Sequence, residues 1–508
     1  MESNSIQSKP PYGMIAILFV GAFVSILNNT LLNVALPSIM NEFQIKAPAV
    51  QWLSTGYMLI GGILIPASAF FIQRFTNRQV FLTAMGLFTA GTLLASLAPA
   101  FGVLLAARML QASGSALMMP LLMNVMLTAF PVEKRGATMG LFGLVMIVAP
   151  AIGPTLSGWV VEHYSWRMLF DIVLPFAVLT LVFAAFKLKN VTPKREMKLD
   201  VFSLILSSIG FGGMLYGFSS AGEKGWGAPL VYGTIAVGVI SVIWFILRQL
   251  RMEDPLLEFR IYKYPMFALS SAISIVISIA MFSAMILMPI YVQTIRGISP
   301  MESGLLMLPG ALVMGIMSPI TGRLFDQFGA RTLAILGLAI TAGTTYFFSK
   351  LSMDTTYGML MVLYTIRMFG MSMVMMPVMT NGLNQLPMEA NPHGTAINNT
   401  LQQVSGAIGS ALLITVMNSH TESKAKELAA EAMAGMKASA TPPSAEAAAA
   451  MKTQILNQAM LEGINFSFFV STLIALIALL LAFFIRRAVP PVTETKAQGV
   501  VQTGSIRQ

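Results

Sequence analysis

The sequence contains no cysteine, so it forms no disulfide, carries no thiolate nucleophile and offers no sulfur ligand to a metal. Histidine is nearly as scarce: His163, His393 and His420 stand far apart, without the spacing of a metal-ligand set. No G-x-x-x-x-G-K-[ST] phosphate loop occurs, and "GFGG" at 210–213 lies inside an apolar run rather than at a strand–helix turn. A nucleophile elbow and an H-E-x-x-H motif are missing too. These absences argue against ATP hydrolysis and catalytic chemistry, so no enzyme activity, metal or cofactor is expected. Charge is the remaining scarcity. Only 10% of residues are charged, against about 25% in soluble domains. With 56% hydrophobic residues, the chain cannot build a water-facing surface, and a lipid bilayer is its expected surroundings. The net charge of +10 then reflects loop charges beside a membrane, not nucleic-acid binding.

A span needs about 20 mostly apolar residues. Fourteen runs qualify, the first seven being 14–37, 50–71, 80–97, 103–126, 137–161, 168–186 and 201–219. The other seven are 230–247, 266–292, 303–324, 333–348, 356–379, 395–417 and 463–485. The first run ends without a small-residue cleavage pattern and reads as a retained span. With the N-terminus inside, the inner loops and near-membrane tails hold eighteen Lys and Arg and the short outer loops five. That imbalance places both termini in the cytoplasm. The Ala-, Glu- and Lys-rich segment 419–463 falls outside the membrane; it reads as two short amphipathic helices around a Thr-Pro-Pro break, a solvated spacer rather than a lid.

The chain repeats itself. "PASAFFIQRFTNRQVF" from Pro66 aligns with "PITGRLFDQFGARTLA" from Pro319, matching Phe75 with Phe328 and Arg78 with Arg331. "RMLQASGSALMMPLLMN" from Arg108 echoes "RMFGMSMVMMPVMTN" from Arg367, each with an Asn four residues after a Met-Met-Pro, Asn124 and Asn381. An ordered repeat of this kind implies two six-helix bundles of like orientation, with substrate near the midplane between them. The expected architecture is therefore all-α and integral to the membrane. It comprises a tail at 1–13, a six-helix bundle at 14–187 and a linker with two additional helices at 188–265. A second pseudo-symmetric bundle at 266–487 and a tail at 488–508 complete it.

Taken in order, "NVALPSI", "APAIGPTLSGW", "SWRMLF", "YVQTIRGISPMESGLLMLPG" and "GTAINNTLQQVSGAIGSAL" resemble the major facilitator superfamily. The likeness is to its fourteen-span, drug-exporting branch, the EmrB/QacA type of drug:proton antiporters. It covers nearly the whole chain apart from 419–463 and the last twenty or so residues. It implies a major facilitator fold and a bacterial plasma-membrane exporter of amphipathic small molecules, driven by the proton gradient and most simply monomeric. Two rivals stay open: an exporter of one physiological metabolite, lipid or signalling molecule, and a non-transporting membrane sensor or scaffold.

"GRLFDQFGAR" (Gly322, Asp326, Gly329, Arg331) looks like the family's inner-loop motif, whose aspartate makes a charge-assisted contact that breaks as the halves rock. In the N-terminal copy Ala69, Gln73 and Thr76 hold the Gly, Asp and Gly places, so the latch is expected to rest on the C-terminal copy. Arg108 is expensive inside a span and by resemblance is the membrane arginine implicated in proton coupling; Gln111 lies one turn on, and Gly114 permits close helix approach. The alternative is an arginine serving only as structural glue. "APAIGPTLSG" (Pro150, Gly153, Pro154, Gly158) looks like the antiporter motif, a kink expected to pack on the eighth-helix equivalent of the other half.

One departure from the pattern matters for energetics. Where the family carries an aspartate in "LDxTIVNVALP", this chain reads "LNNTLLNVALP", with Asn28 in the acid's place. Ser25, Asn29 and Asn33 share one helical face with Asn28 beside it. Together with Gln111, Asn124 and Asn381 they are candidates for lining a substrate cavity, or for fastening helices at about 0.6 kcal/mol per contact. No Asp or Glu occupies the middle third of any span. Asp171, about a turn inside the outer end of the sixth, is the first candidate proton carrier, and it would need partial burial to load protons near neutral pH.

Overall fold

The computed structural model describes residues 12–45, 47–50, 52–130, 135–188, 190, 200–438 and 445–488. Among them, thirteen helical stretches are long and apolar enough to cross a membrane. One, Met301–Phe348, is two spans back to back, because Gly329 reverses the chain at φ 78°, a backbone conformation open mainly to glycine. The described crossings are therefore fourteen, and both described ends share one face of the molecule.

The helices are α1 (Tyr12–Phe43), the short α2 (Ala47–Val50), α3 (Trp52–Arg74), α4 (Asn77–Ser96), α5 (Phe101–Ala129), α6 (Arg135–His163) and α7 (Met168–Lys187). A hairpin of α8 (Val201–Lys224) and α9 (Pro229–Gln249) follows. Then come α10 (Pro265–Ile290), α11 (Pro300–Phe348), α12 (Tyr357–Ser372), α13 (Met375–Asn384), α14 (Asn391–Ala438) and α15 (Ala445–Ala482). Six crossings from α1 to α7 make the first bundle. The two limbs of α11, the α12–α13 pair and α10, α14 and α15 make the second.

Local signals set the boundaries. Thr76 caps α4 in a reciprocal capping box with Gln79, at an ordinary φ of −70°, so the first bundle needs no glycine where the second has Gly329. Ser299 and Glu302 form the same box at the start of α11, with Pro300 at its first position. Large apolar side chains on α7 and α9 (Phe176, Leu179, Phe183, Ile240, Trp244) face outward, as lipid contact requires.

The repeat seen in the sequence is visible in the packing. A Cβ at Gly114 of α5 would lie 2.2 Å from the Ala84 carbonyl oxygen of α4. A Cβ at Gly370 of α12 would lie 2.8 Å from the Gly337 carbonyl oxygen of α11. In both bundles the third and fourth crossings thus touch backbone to backbone, a contact only glycine permits.

Segment 419–463 differs from expectation. It is not a pair of separate short helices: α14 runs unbroken to Ala438 and α15 begins at Ala445, so the last two spans simply continue as a hairpin. The reason lies in composition, since Ala, Glu, Lys and Met favour helix and ion pairs such as Lys426–Glu422 (2.7 Å) support its surface. Residues 439–444, with the Thr-Pro-Pro break, lie outside the described residues, as do the tails 1–11 and 489–508.

Candidate functional site

Arg108 is fully buried in α5, and its two terminal nitrogens are both used. Nη1 donates to Gln111 Oε1 (2.9 Å) and Nη2 to Asn29 Oδ1 of α1 (3.0 Å). Gln111 Nε2 donates onward to Thr92 Oγ1 of α4 (2.8 Å). The Tyr57 ring of α3 lies 4.4 Å from the guanidinium carbon, a cation–π contact. Four helices of the first bundle therefore meet on one guanidinium, which keeps its charge there. Its partners are neutral; no carboxylate among the described residues pairs with it, and its Nε has no partner there.

Ser25 donates to Ser115 Oγ of α5 at 2.5 Å, one helical turn from the Asn29 contact. Asn28, 1% exposed, stands on the same stretch of α1 with both amide atoms unpartnered among the described residues. The structure thus brings Asn29, Gln111 and Arg108 together, with Ser25 one turn away on α1 and Asn28 next to Asn29 in the chain. It does not bring Asn124 or Asn381 to them. Asn124 lies sixteen residues further along α5, about 24 Å at 1.5 Å per residue, buried with its amide oxygen unpartnered among the described residues. Asn381 accepts from Ala488 N (3.1 Å) and donates to the Arg486 carbonyl (3.0 Å), tying α13 to the chain after α15. Both sit toward the termini face, where a backbone tie rather than a cavity occupies the Asn381 amide. The Asn33 side chain lies outside the described residues.

Asp171 is exposed at the far end of α7, and its carboxylate accepts a hydrogen bond from Ser96. The burial asked of a proton-loading carboxyl is not what surrounds it, because α7 lies on the periphery of the first bundle. Arg367 parallels Arg108: buried in α12, it donates to Thr345 Oγ1 of α11 (3.2 Å) and the Ala280 carbonyl of α10 (2.8 Å). Each bundle therefore anchors its first and third crossings on an arginine of its fourth.

The antiporter-like helix packs as expected on the first limb of α11, the eighth-helix equivalent of the other half, and its motif residues also meet α1. A Cβ at Gly153 would meet Thr30 Oγ1 of α1 at 2.2 Å, and Ser157 donates to the Leu31 carbonyl at 2.5 Å. At this level α6 is pressed on α1 of its own bundle. Its contact with the other half runs up to the motif: Cβ atoms at Gly140 and Gly143 would lie 2.4 Å from Ser318 O and 2.2 Å from Ser318 Oγ of α11, and one at Gly315 of α11 would lie 2.9 Å from the Val148 side chain. Pro150 is half-buried and Gly158 has nothing within 4 Å of a built Cβ, while the Pro154 side chain lies outside the described residues.

The bundles are joined at the termini face. Gln73, in the aspartate's place of the first motif copy, bonds His393 of α14 at 2.9 Å. His393 Nδ1 also accepts from the Glu258 backbone (3.3 Å), and Arg135 donates to Asn384 Oδ1 (3.2 Å). The apolar core of the first bundle continues through Met376, Leu383 and Ile397 of the second. In the second motif copy, Arg487 Nη2 donates to the Asp326 carbonyl (2.9 Å), Gly322 is buried, and Arg331 is exposed beyond Gly329. The contact across the bundles therefore uses the copy whose aspartate is replaced, while the Asp326 contact ties α11 to the chain after α15 within the second bundle.

At the opposite face Arg167 donates to Glu42 (2.6 Å) and the Ala98 carbonyl (2.8 Å), and Trp166 Nε1 donates to Glu42 (2.6 Å). Burial would lift the Glu42 carboxyl, but hydrogen bonds from Arg167 and Trp166, with the Arg167 charge, leave it below its ordinary value. Trp166-Arg167 thus clasps the end of α1 to the turn after α4. Tyr57, Thr92, Ser115 and His393 are not legible as partners in the sequence, since no spacing signal links any of them to the residue it meets.

Paired six-helix bundles, shut at one face around a buried charge, are the build of a membrane transporter that exposes its centre alternately. The Major Facilitator Superfamily profile matches residues 18–410, and the chain belongs to that family. It is 45% identical over 498 residues to the MFS-type transporter YcnB of Bacillus subtilis (strain 168), covering 98% of this chain and 100% of that one. It is 44% identical over 476 residues to the lincomycin resistance protein LmrB of the same organism, covering 93% and 95%. Among solved structures, the human organic anion transporter MFSD10 matches with a TM-score of 0.65 at 12% identity, over 93% of this chain and 99% of that one, a likeness of fold.

Proposed function

We propose that this protein exports amphipathic small molecules, antibiotics among them, across a bacterial plasma membrane in exchange for protons, with both termini in the cytoplasm. The observation that carries the reading is the near full-length similarity, at 44% identity, to a protein named for lincomycin resistance. The Lys and Arg imbalance supports the orientation, and the closed termini face then corresponds to a centre shut from the cytoplasm. The Arg108 cluster is the central exchange site: Asn29 and Gln111 hold the guanidinium, and Asn28, next to Asn29 on α1, has donor and acceptor atoms without partners among the described residues. A buried positive charge with no carboxylate partner disfavours a second permanent cation, so neutral or anionic cargo suits the site better than monovalent cations.

The test is efflux from proteoliposomes holding the full-length chain under an imposed pH gradient. Lincomycin should leave against its own gradient with a matching change of internal pH, and Arg108→Ala should abolish both. Lincomycin movement with no pH change would remove proton exchange, and no movement of any compound in a panel would remove export.

A further inference from the structure

The two helices that interrupt the repeat are not placed at random on the periphery. Helix α8 lies against α3 of the first bundle and α14 of the second, over the seam where the halves meet. Where the three helices converge they enclose a cavity of about 280 Å³, lined by Met58 and Leu59 of α3, Leu215 and Phe218 of α8, and Gln403 and Ala407 of α14. This is near the lower bound for small-molecule sites, which pair apolar walls with a few directed polar groups.

Gln403 supplies such a group. Its carboxamide lines the cavity, lies 3.5 Å from a Cβ built at Gly61, and makes no hydrogen bond among the described residues. A free carboxamide between apolar walls at membrane depth is costly unless something else satisfies it. The rim is built for amphipathic contact. Tyr216 stacks on Trp52 with ring centres 5.7 Å apart, and Lys224 Nζ lies 3.4 Å from the Tyr216 hydroxyl. Trp226, in the turn after α8, donates to Thr415 Oγ1 of α14 at 2.5 Å. The hairpin is thus fastened to both bundles by aromatic residues of the type that settle at membrane interfaces.

We propose that this seam cavity binds a lipophilic molecule with one hydrogen-bonding group, reaching it sideways from the bilayer, and that Gln403 holds that group. The ligand is a small compound dissolved in the membrane rather than a phospholipid, since the volume suits a fused-ring body better than two long chains. The proposal rests on the export reading to the extent that this ligand is cargo on its way to the centre.

The test uses the full-length chain in nanodiscs and N-phenyl-1-naphthylamine, a neutral lipophilic fluorophore with one N–H. Ala407→Phe fills the cavity, and Gln403→Leu keeps its shape while removing the amide, so the second variant serves if the first misfolds. Each should weaken probe binding at least fivefold relative to the unmodified chain; unchanged binding in the folded variants overturns the proposal. Because the sequence has no cysteine, a bimane on Ala407→Cys is a unique reporter. Its quenching by brominated-chain lipid that the probe does not relieve would mean a resident lipid and would also overturn it. Lincomycin efflux by the unmodified chain, measured in parallel, reports on export alone: its failure beside lost probe binding in the variants sinks the export reading and leaves the cavity site standing.

Discussion

Arg108 holds Gln111 and Asn29 at once through two nitrogens of one planar fork, and a lysine has no geometry to do both. Arg108→Lys should therefore lose transport almost as fully as Arg108→Ala, at least tenfold in initial efflux rate, while both proteins still fold. Asn28 gives a second prediction. Its buried, unpartnered amide costs about 1–3 kcal/mol if nothing occupies it. Asn28→Leu should raise the melting temperature of the purified protein yet lower lincomycin efflux, a split expected where a site trades stability for function. Asn28→Asp would place an acid next to Asn29, the guanidinium's partner, and should give export of the permanent cation ethidium; no gain in ethidium efflux would count against the missing-acid argument. Glu42 gives a pH prediction. Its folded value lies below the unfolded one, about 4.3, so the clasp contributes fully above that pH and is lost as pH falls through the lower folded value. Both partners are partly exposed, so the pair contributes under about 1 kcal/mol. Glu42→Gln should flatten the acid-side fall in unfolding free energy between pH 5 and 3 by about that amount.

Helix contacts are partly legible in the amino-acid pattern. Gly114 reads as a close-approach residue because it follows a membrane arginine and precedes a small serine, and the backbone of α4 does meet it there. Gly114→Leu should cost about 1–3 kcal/mol by overpacking, seen as a fall of several degrees in melting temperature. Gly86→Ala, with nothing within 4 Å of the new methyl, should be neutral or slightly stabilising. The fourteen spans and the turn at Gly329 are legible because hydropathy and a positive-φ glycine act locally. The second partner of "APAIGPTLSG" is not. Small residues announce that something comes near without naming every helix, and beside α11 the motif meets Thr30 of its own bundle. The hairpin of α14 and α15 departs from expectation for a related reason: a Thr-Pro-Pro break suggests two separate pieces, while continuity with the two spans depends on register that composition does not carry.

At the scale of the whole molecule, the two bundles meet through Gln73–His393 and Arg135–Asn384 at the termini face. The motif pattern alone places the latch in the Asp326 copy; Gln73 shows that a neutral contact across the seam stands where the equivalent position would carry an ionic one. Since the chain has no cysteine, Gln73→Cys/His393→Cys introduces the only thiols. Oxidation of that pair should stop efflux by holding this face shut, and a reductant should restore it; efflux unaffected by quantitative cross-linking would mean that the face need not open. The same rigidity has a further consequence at the other end. Helices α14 and α15 carry on as stiff rods for some twenty residues past their apolar portions, about 30 Å. They form a pointer fixed to one bundle only. A tilt of roughly 10° in that bundle would sweep the tip by about 5 Å, so a dye placed there would turn the hidden rocking of the core into a displacement large enough to follow one molecule at a time.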